Sequence, residues 1–188
     1  MRLRNTETTY GLIAQLLHWI IVVLVVVQFA LALRADSLPR SPALVATLAW
    51  HKSVGITILV LTLLRLTWRW LNPVPAMPKD TPVWQQTAAR ISHGALYALL
   101  LLMPLFGWLM SSARNFPVSW FNLVTLPDLI GPSEAAYEFF RRGHGVLAVV
   151  LFVLALVHIA AALKHHFIDR DNVLLRMLPW NRATRGAD

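Results

Sequence analysis

The chain has 188 residues, of which 57% are hydrophobic and only 14% charged, with a formal net charge of +8 and no cysteine. That composition excludes an ordinary soluble domain and points to a membrane protein. Without thiols, it also excludes disulfides, thiolate metal sites, iron–sulfur clusters and cofactors attached through a Cys-x-x-Cys-His motif.

Four apolar runs are long enough to cross a ~30 Å hydrocarbon core, which takes about 20 helical residues. The first covers about 12–33. Its basic start and the triplet Ala30-Leu31-Ala32 imitate a cleavable leader, but the run outlasts the ~7–15 residues of a leader core and contains His18, so it is expected to be retained. The second covers about 43–64, with His51 just ahead of the unbroken stretch Val54–Leu64. The Pro-rich segment "NPVPAMPKDTPV" then reads as a stiff loop. The third covers about 91–110, with His93 only ~3 Å from its start. The fourth covers about 143–163, with His144 at its mouth and His158 near its far end. No repeat or low-complexity tract interrupts this order, so residues 1–188 are expected to form one domain. Its fold class is all-α, a transmembrane four-helix bundle.

Placing the N-terminus inside puts eleven of the 17 Lys and Arg residues in the cytoplasm. These are Arg2, Arg4, Arg65, Arg69, Lys79, Arg90, Lys164, Arg170, Arg176, Arg182 and Arg185. Arg34, Arg40, Lys52, Arg114, Arg141 and Arg142 fall outside. The bias predicts a multi-pass membrane protein with both termini cytoplasmic. The excess positive charge then reads as a topology signal and an attraction to anionic membrane lipid, not as a nucleic-acid footprint. Trp50, Trp68, Trp70, Trp84, Trp120 and Trp180 fall near span ends and are expected to anchor at headgroups.

Histidines inside such runs need an explanation, because polar groups in hydrocarbon are costly. His144 and His158 are fourteen residues apart, about 40° short of four full helical turns, so they share one face and stand ~21 Å apart along the axis. One metal ion cannot bind both. Counted from the span ends, His158 lies ~7.5 Å deep and His18 ~9 Å deep, while His51 and His144 both sit near the opposite boundary. Antiparallel geometry therefore pairs His18 with His158 and His51 with His144. Two facing imidazoles between membrane helices suit the axial positions of six-coordinate haem iron, whose task is one-electron transfer. Without thiols these would be b-type haems, two per chain.

Gly55, Gly143 and Gly145 are placed for close approach of a macrocycle or a neighbouring helix. His93 reads as an interfacial residue or as a contact to haem or quinone. His165 and His166, beside Lys164, are expected to face headgroups.

The segments "LLHWI", "HKSVGI" and "HIAAALKHHFIDRDNVLLRMLP", with His144 fourteen residues before His158, resemble the bacterial cytochrome b561 family of small dihaem membrane proteins. The resemblance covers all four spans and the C-terminal tail. It implies haem ligation by His18, His51, His144 and His158, electron exchange with the ubiquinone pool, and, as in superoxide oxidase, oxidation of superoxide at the periplasmic face. Lys52, Arg141 and Arg142 are the cations expected near the outer haem, either steering an anionic donor or, for Lys52 and Arg142, pairing with haem propionates. The alternative is a haem-bearing subunit that relays electrons to or from a partner dehydrogenase or periplasmic carrier. The loop Ala113–Glu138 would then be its docking surface or simply a cap over the outer haem. A metal transporter is disfavoured because no Asp or Glu lies inside the four apolar runs.

Overall fold

A computed structural model describes residues 2–78 and 81–179. Lys79, Trp180, Arg182 and Arg185, assigned roles above, lie outside the described residues. The four expected spans are helices: α1 (Leu12–Ser37), α2 (Pro42–Trp70), α3 (Val83–Ser112) and α4 (Glu134–Phe167). All four are long and apolar enough to cross a membrane. The protein is thus a helical bundle of transmembrane length, as its composition implies.

Every helix outlasts the apolar run that foretold it, because the capping signals sit in polar sequence beyond the hydrocarbon length. Ser41 accepts from the amide of Leu44 and is followed by Pro42, a residue suited to a helix's first position. Ser133 accepts from the amide of Ala136, with Glu134 in the first turn to complement the helix dipole. Two consequences reach the site. His144 stands ten residues inside α4 and His93 ten residues inside α3, so neither lies at a helix mouth.

Close backbone packing joins α1 to α2, α2 to α3 and α3 to α4. Helix α4 meets α1 and α2 mainly through side chains, including an edge-on contact of Phe29 with Phe152. The buried residues concentrate on α2, from Thr47 through Val54, Ile58 and Leu59 to Thr62. Most apolar side chains of α4, such as Val149, Val153 and Val157, face outward, as a lipid-facing helix requires.

The two ends of the bundle are closed differently. At the end between α3 and α4, strands β1 (Val118–Trp120) and β2 (Val124–Leu126) form an antiparallel hairpin. The apolar-run reading had no signal for it, since strands this short carry no measurable alternation. Its turn places Phe121 and Asn122 at positive φ, and Leu123 N–H bonds back to Trp120 O. Helix α2 holds the hairpin down: Ser53 Oγ donates to Ser119 O and accepts from the Phe121 amide. Trp120 Nε1 donates to Thr57 Oγ1, so this indole turns inward instead of anchoring at headgroups. Trp68 likewise buries its ring nitrogen, whereas Trp50, Trp70 and Trp84 are exposed as expected.

At the opposite, terminal end, three segments are laced together. Asn5 Nδ2 donates to Pro73 O while its Oδ1 accepts from Gly11 N–H. Gly11 has no substitute there, since a Cβ would run into the Leu3–Arg4 backbone. After α4 the chain turns at Arg170, which has positive φ, and a short 3₁₀ turn (Leu175–Met177) passes beneath α1. Gln15 Nε2 donates to Arg176 O and Trp19 Nε1 to Met177 O. Arg176 also reaches Ala76 O in the loop between α2 and α3.

Candidate haem sites

Helix packing brings the four histidines together in the pairs that depth counting anticipated. The ring centres of His18 and His158 are 6.3 Å apart, and those of His51 and His144 are 6.2 Å apart. Bonds of about 2 Å from a metal to imidazole, plus roughly 1.2 Å from each bonded nitrogen to its ring centre, place two rings across one metal about 6.4 Å apart. Both pairs are spaced so that a metal could be held between the two imidazoles. His93, by contrast, lies only 5.3 Å from His158, too close to face it across an iron. His93, expected to lie shallower than His158, is instead level with it, as the 5.3 Å between their ring centres shows.

At the hairpin end, His51 and His144 line a cavity of about 400 Å³ together with Gln28, Gly55, Gly107 and Lys52. That size is typical of small-molecule and cofactor pockets, which span ~300–1,000 Å³. His144 Nδ1 is 3.1 Å from Met103 O. A carbonyl can only accept, so Nδ1 carries the proton and Nε2 keeps the lone pair a metal needs. Gly107, one turn beyond Met103, makes room for this ring, since a Cβ there would sit 3.3 Å from its Cε1. Sequence reading missed Gln28, Met103 and Gly107, because each acts on a histidine of a different helix. Of the glycines it did single out, Gly55 lines the cavity, Gly143 packs against Phe106, and a Cβ on Gly145 would meet nothing within 4 Å.

Among the described residues, Lys52 is the one Lys or Arg lining this cavity, and Asp36 lines it with the opposite charge. Lys52 Nζ donates to Pro117 O below the hairpin and lies 5.8 Å from the Phe116 ring centre. Arg141 and Arg142 do not line it. Glu138, one turn back on α4, holds Arg141 at 2.8 Å and Arg142 at 3.6 Å on the exposed surface. Glu134 pairs with Arg114, so two of the three acidic residues of the expected docking loop are neutralised within the chain. The loop serves as a cap, with Val118 on the cavity wall.

At the terminal end, the guanidinium of Arg65 donates to Tyr97 Oη and Ala14 O and stands within electrostatic reach of His18, His93 and His158. His165 does not face headgroups. It is buried, with Nδ1 2.6 Å from Asp171 Oδ2, and Asp171 Oδ1 accepts from the Val173 amide. His165, Asp169 and Asp171 bring potential ligand atoms within 4.8 Å of one another. However, Lys164 Nζ already occupies Asp169 at 2.8 Å, so the trio fastens the turn into the tail.

A membrane-length helical bundle with imidazoles facing one another between helices is the architecture of haem-bearing membrane cytochromes. The family model described as prokaryotic cytochrome b561 matches residues 9–180. The chain is 36% identical over 186 residues to "Cytochrome b561 homolog 2" of Escherichia coli (strain K12), covering 95% of each sequence. It is 30% identical over 166 residues to "Cytochrome b561 homolog 1" of the same organism, covering 87% of this chain and 93% of that one. A third relative, "Probable superoxide oxidase CybB" of Yersinia pestis, is 29% identical over 172 residues, covering 89% and 94%. The chain belongs to the prokaryotic cytochrome b561 family. It is accordingly a multi-pass inner-membrane b-type cytochrome of electron transfer.

Proposed function

We propose that the protein binds two b-type haems, one between His18 and His158 and one between His51 and His144, and passes electrons from superoxide to ubiquinone. The observation that carries this reading is the near-equal separation of the two imidazole pairs, 6.3 and 6.2 Å, each matched to a bis-imidazole iron. When bound, the haems supply one-electron transfer across the bundle. Both termini lie in the cytoplasm in this reading, and the hairpin end faces the periplasm. Two superoxide anions each lose one electron and leave as dioxygen, and one ubiquinone takes both electrons with two protons to become ubiquinol.

The residues divide the work by position. The four histidines would hold the haems. Lys52 supplies positive charge at the periplasmic cavity, where an anion gains from local attraction. The hairpin, pinned by Ser53 and Thr57, contributes Val118 to the wall of that cavity. Arg65 and Arg69 would offer countercharge to the carboxylates of a haem held at the terminal end. The name of the Yersinia pestis relative supports the choice of superoxide, and the internal pairing of Glu134 and Glu138 gives little support to a docked protein donor.

The test is stopped-flow mixing of the purified protein with superoxide and a soluble ubiquinone analogue. Ubiquinol formed without any other protein, at two superoxide per quinone, is the expected result. Haem reduction by superoxide with no quinone turnover, together with co-purification of a larger redox subunit, would favour the relay reading.

A further inference from the structure

The hairpin end treats its two imidazoles unequally. His144 has its Nδ1 proton on the Met103 carbonyl, whereas Nδ1 of His51 is buried with no hydrogen-bond partner. Against His51 lies Gln28, reaching over from α1. Its Nε2 donates to the main-chain oxygen of His51 at 3.0 Å, and its Oε1 is also buried and unmatched. Gly55, one turn after His51, makes room for this amide, since a Cβ there would sit 3.3 Å from Nε2. Gln28 and His51 share a wall of the cavity. One side chain thus has its amide nitrogen on His51 and an acceptor to spare, next to a ring nitrogen that lacks one. Leaving both buried and unmet is unfavourable, because each group has given up its bond to water without a replacement.

We propose that Gln28 is the positioning residue of His51, its Oε1 accepting the Nδ1–H when Nε2 of that ring binds iron. This inference rests on the haem reading above. Engagement of Nε2 leaves the proton on Nδ1, and metal-bound imidazoles almost always give that proton to an acceptor, which fixes the ring and makes it a stronger donor to the metal. The Gln28 main-chain carbonyl also faces the ring and is the competing acceptor, as Met103 O is for His144 from inside α3; of the two Gln28 oxygens, the side-chain one has no other hydrogen bond. A more electron-rich ligand favours oxidised iron, so Gln28 lowers the midpoint potential of the haem held by His51 and His144.

The test is redox potentiometry of the purified holoprotein, followed by visible and low-temperature EPR spectra, with the periplasmic wave assigned by its loss in His144→Ala. Gln28→Leu should raise the periplasmic midpoint and shift that haem's low-spin EPR signal, leaving the cytoplasmic haem unchanged. Gln28→Glu keeps an oxygen for the Nδ1 proton and should hold the midpoint at or below the parent value. Should Gln28→Leu fail to accumulate, Gln28→Met removes the same acceptor with a side chain of similar length. An unmoved midpoint in these acceptor-free variants, or an upward shift with Gln28→Glu as well, overturns the inference and leaves Gln28 as a brace on the His51 carbonyl. A parent protein without haem would overturn the functional reading first, whereas a normally loaded parent with unmoved potentials sinks this inference alone.

Discussion

The two ends of the bundle hold imidazole pairs of almost identical spacing in very different surroundings. At the hairpin end, the rings are set by neutral backbone and amide groups, Met103 O and Gln28, and open onto a cavity with a single lysine. At the terminal end, a third imidazole and a guanidinium crowd the pair, and the N-terminal hook, the α2–α3 loop and the tail are laced beneath it. Ring separation therefore reports what the pairs can hold, while the surroundings decide how each behaves. Nearby positive charge favours the reduced, less positive state of a metal centre; two guanidiniums, Arg65 and Arg69, act at the terminal end, whereas Lys52 at the hairpin end shares its cavity with Asp36, so the terminal-end haem is expected to have the higher potential. Electrons arriving at the hairpin end would then run downhill.

The most forceful way to break the comparison is to remove a ligand from one end only. His144→Ala should empty the hairpin-end site and bring superoxide-driven quinone reduction to background, while the terminal-end haem stays loaded and reducible by dithionite. His93→Ala, despite its closeness to His158, should leave haem content unchanged, because a 5.3 Å ring separation does not suit a trans ligand. Haem analysis of the two variants side by side checks both outcomes.

A smaller loss should follow from Gly107→Val. The added side chain competes for the space of the His144 ring, already 3.3 Å from a single Cβ at that site. Selective loss of the hairpin-end haem on dilution in detergent is the expected signature, and equal loss from both ends would contradict it.

Trp19→Phe tests the lacing at the other end. It removes the bond to Met177 O next to His18, a stabilisation of about 1 kcal/mol. Thermal melting followed in the Soret band should show the terminal-end haem leaving earlier, with the hairpin-end haem unaffected.

The mildest change concerns charge. Lys52→Gln should slow the reaction with superoxide about two- to five-fold at low ionic strength and flatten its salt dependence, since steering by a single partly exposed charge is modest and screened. Neutralising Arg141 or Arg142 should do less, because neither lines the cavity and both lie on the exposed surface beside Glu138.

The spans and histidine pairs were legible in the sequence because apolar length and helical rise are properties of one helix at a time. His18 and His158 could be matched by counting residues from a boundary. The count misled at His93, where the apolar run begins at Ile91 but the helix begins eight residues earlier behind Pro82. The polar start of α4, capped by Ser133, extends that helix beyond its apolar run but leaves the match of His144 to His51 unchanged. The partners of Arg141 and Arg142 were within reach of a sequence argument, since Glu138 stands three and four residues before them on one helix face. Asp171 as the partner of His165 needed the turn at Arg170, which an αL conformation at a non-glycine residue does not advertise. Gln28, Met103 and Gly107 could not be found by such counting, because their roles depend on which faces of α1 and α3 meet α2 and α4.

The account stands on each facing imidazole pair holding one b-type haem. A pyridine haemochrome assay normalised to protein mass, on the purified wild-type chain and on His158→Ala, measures this most directly. Two haem b per wild-type chain and one in the variant are predicted. A single haem in the wild type, or an undiminished count in His158→Ala, would contradict the assignment.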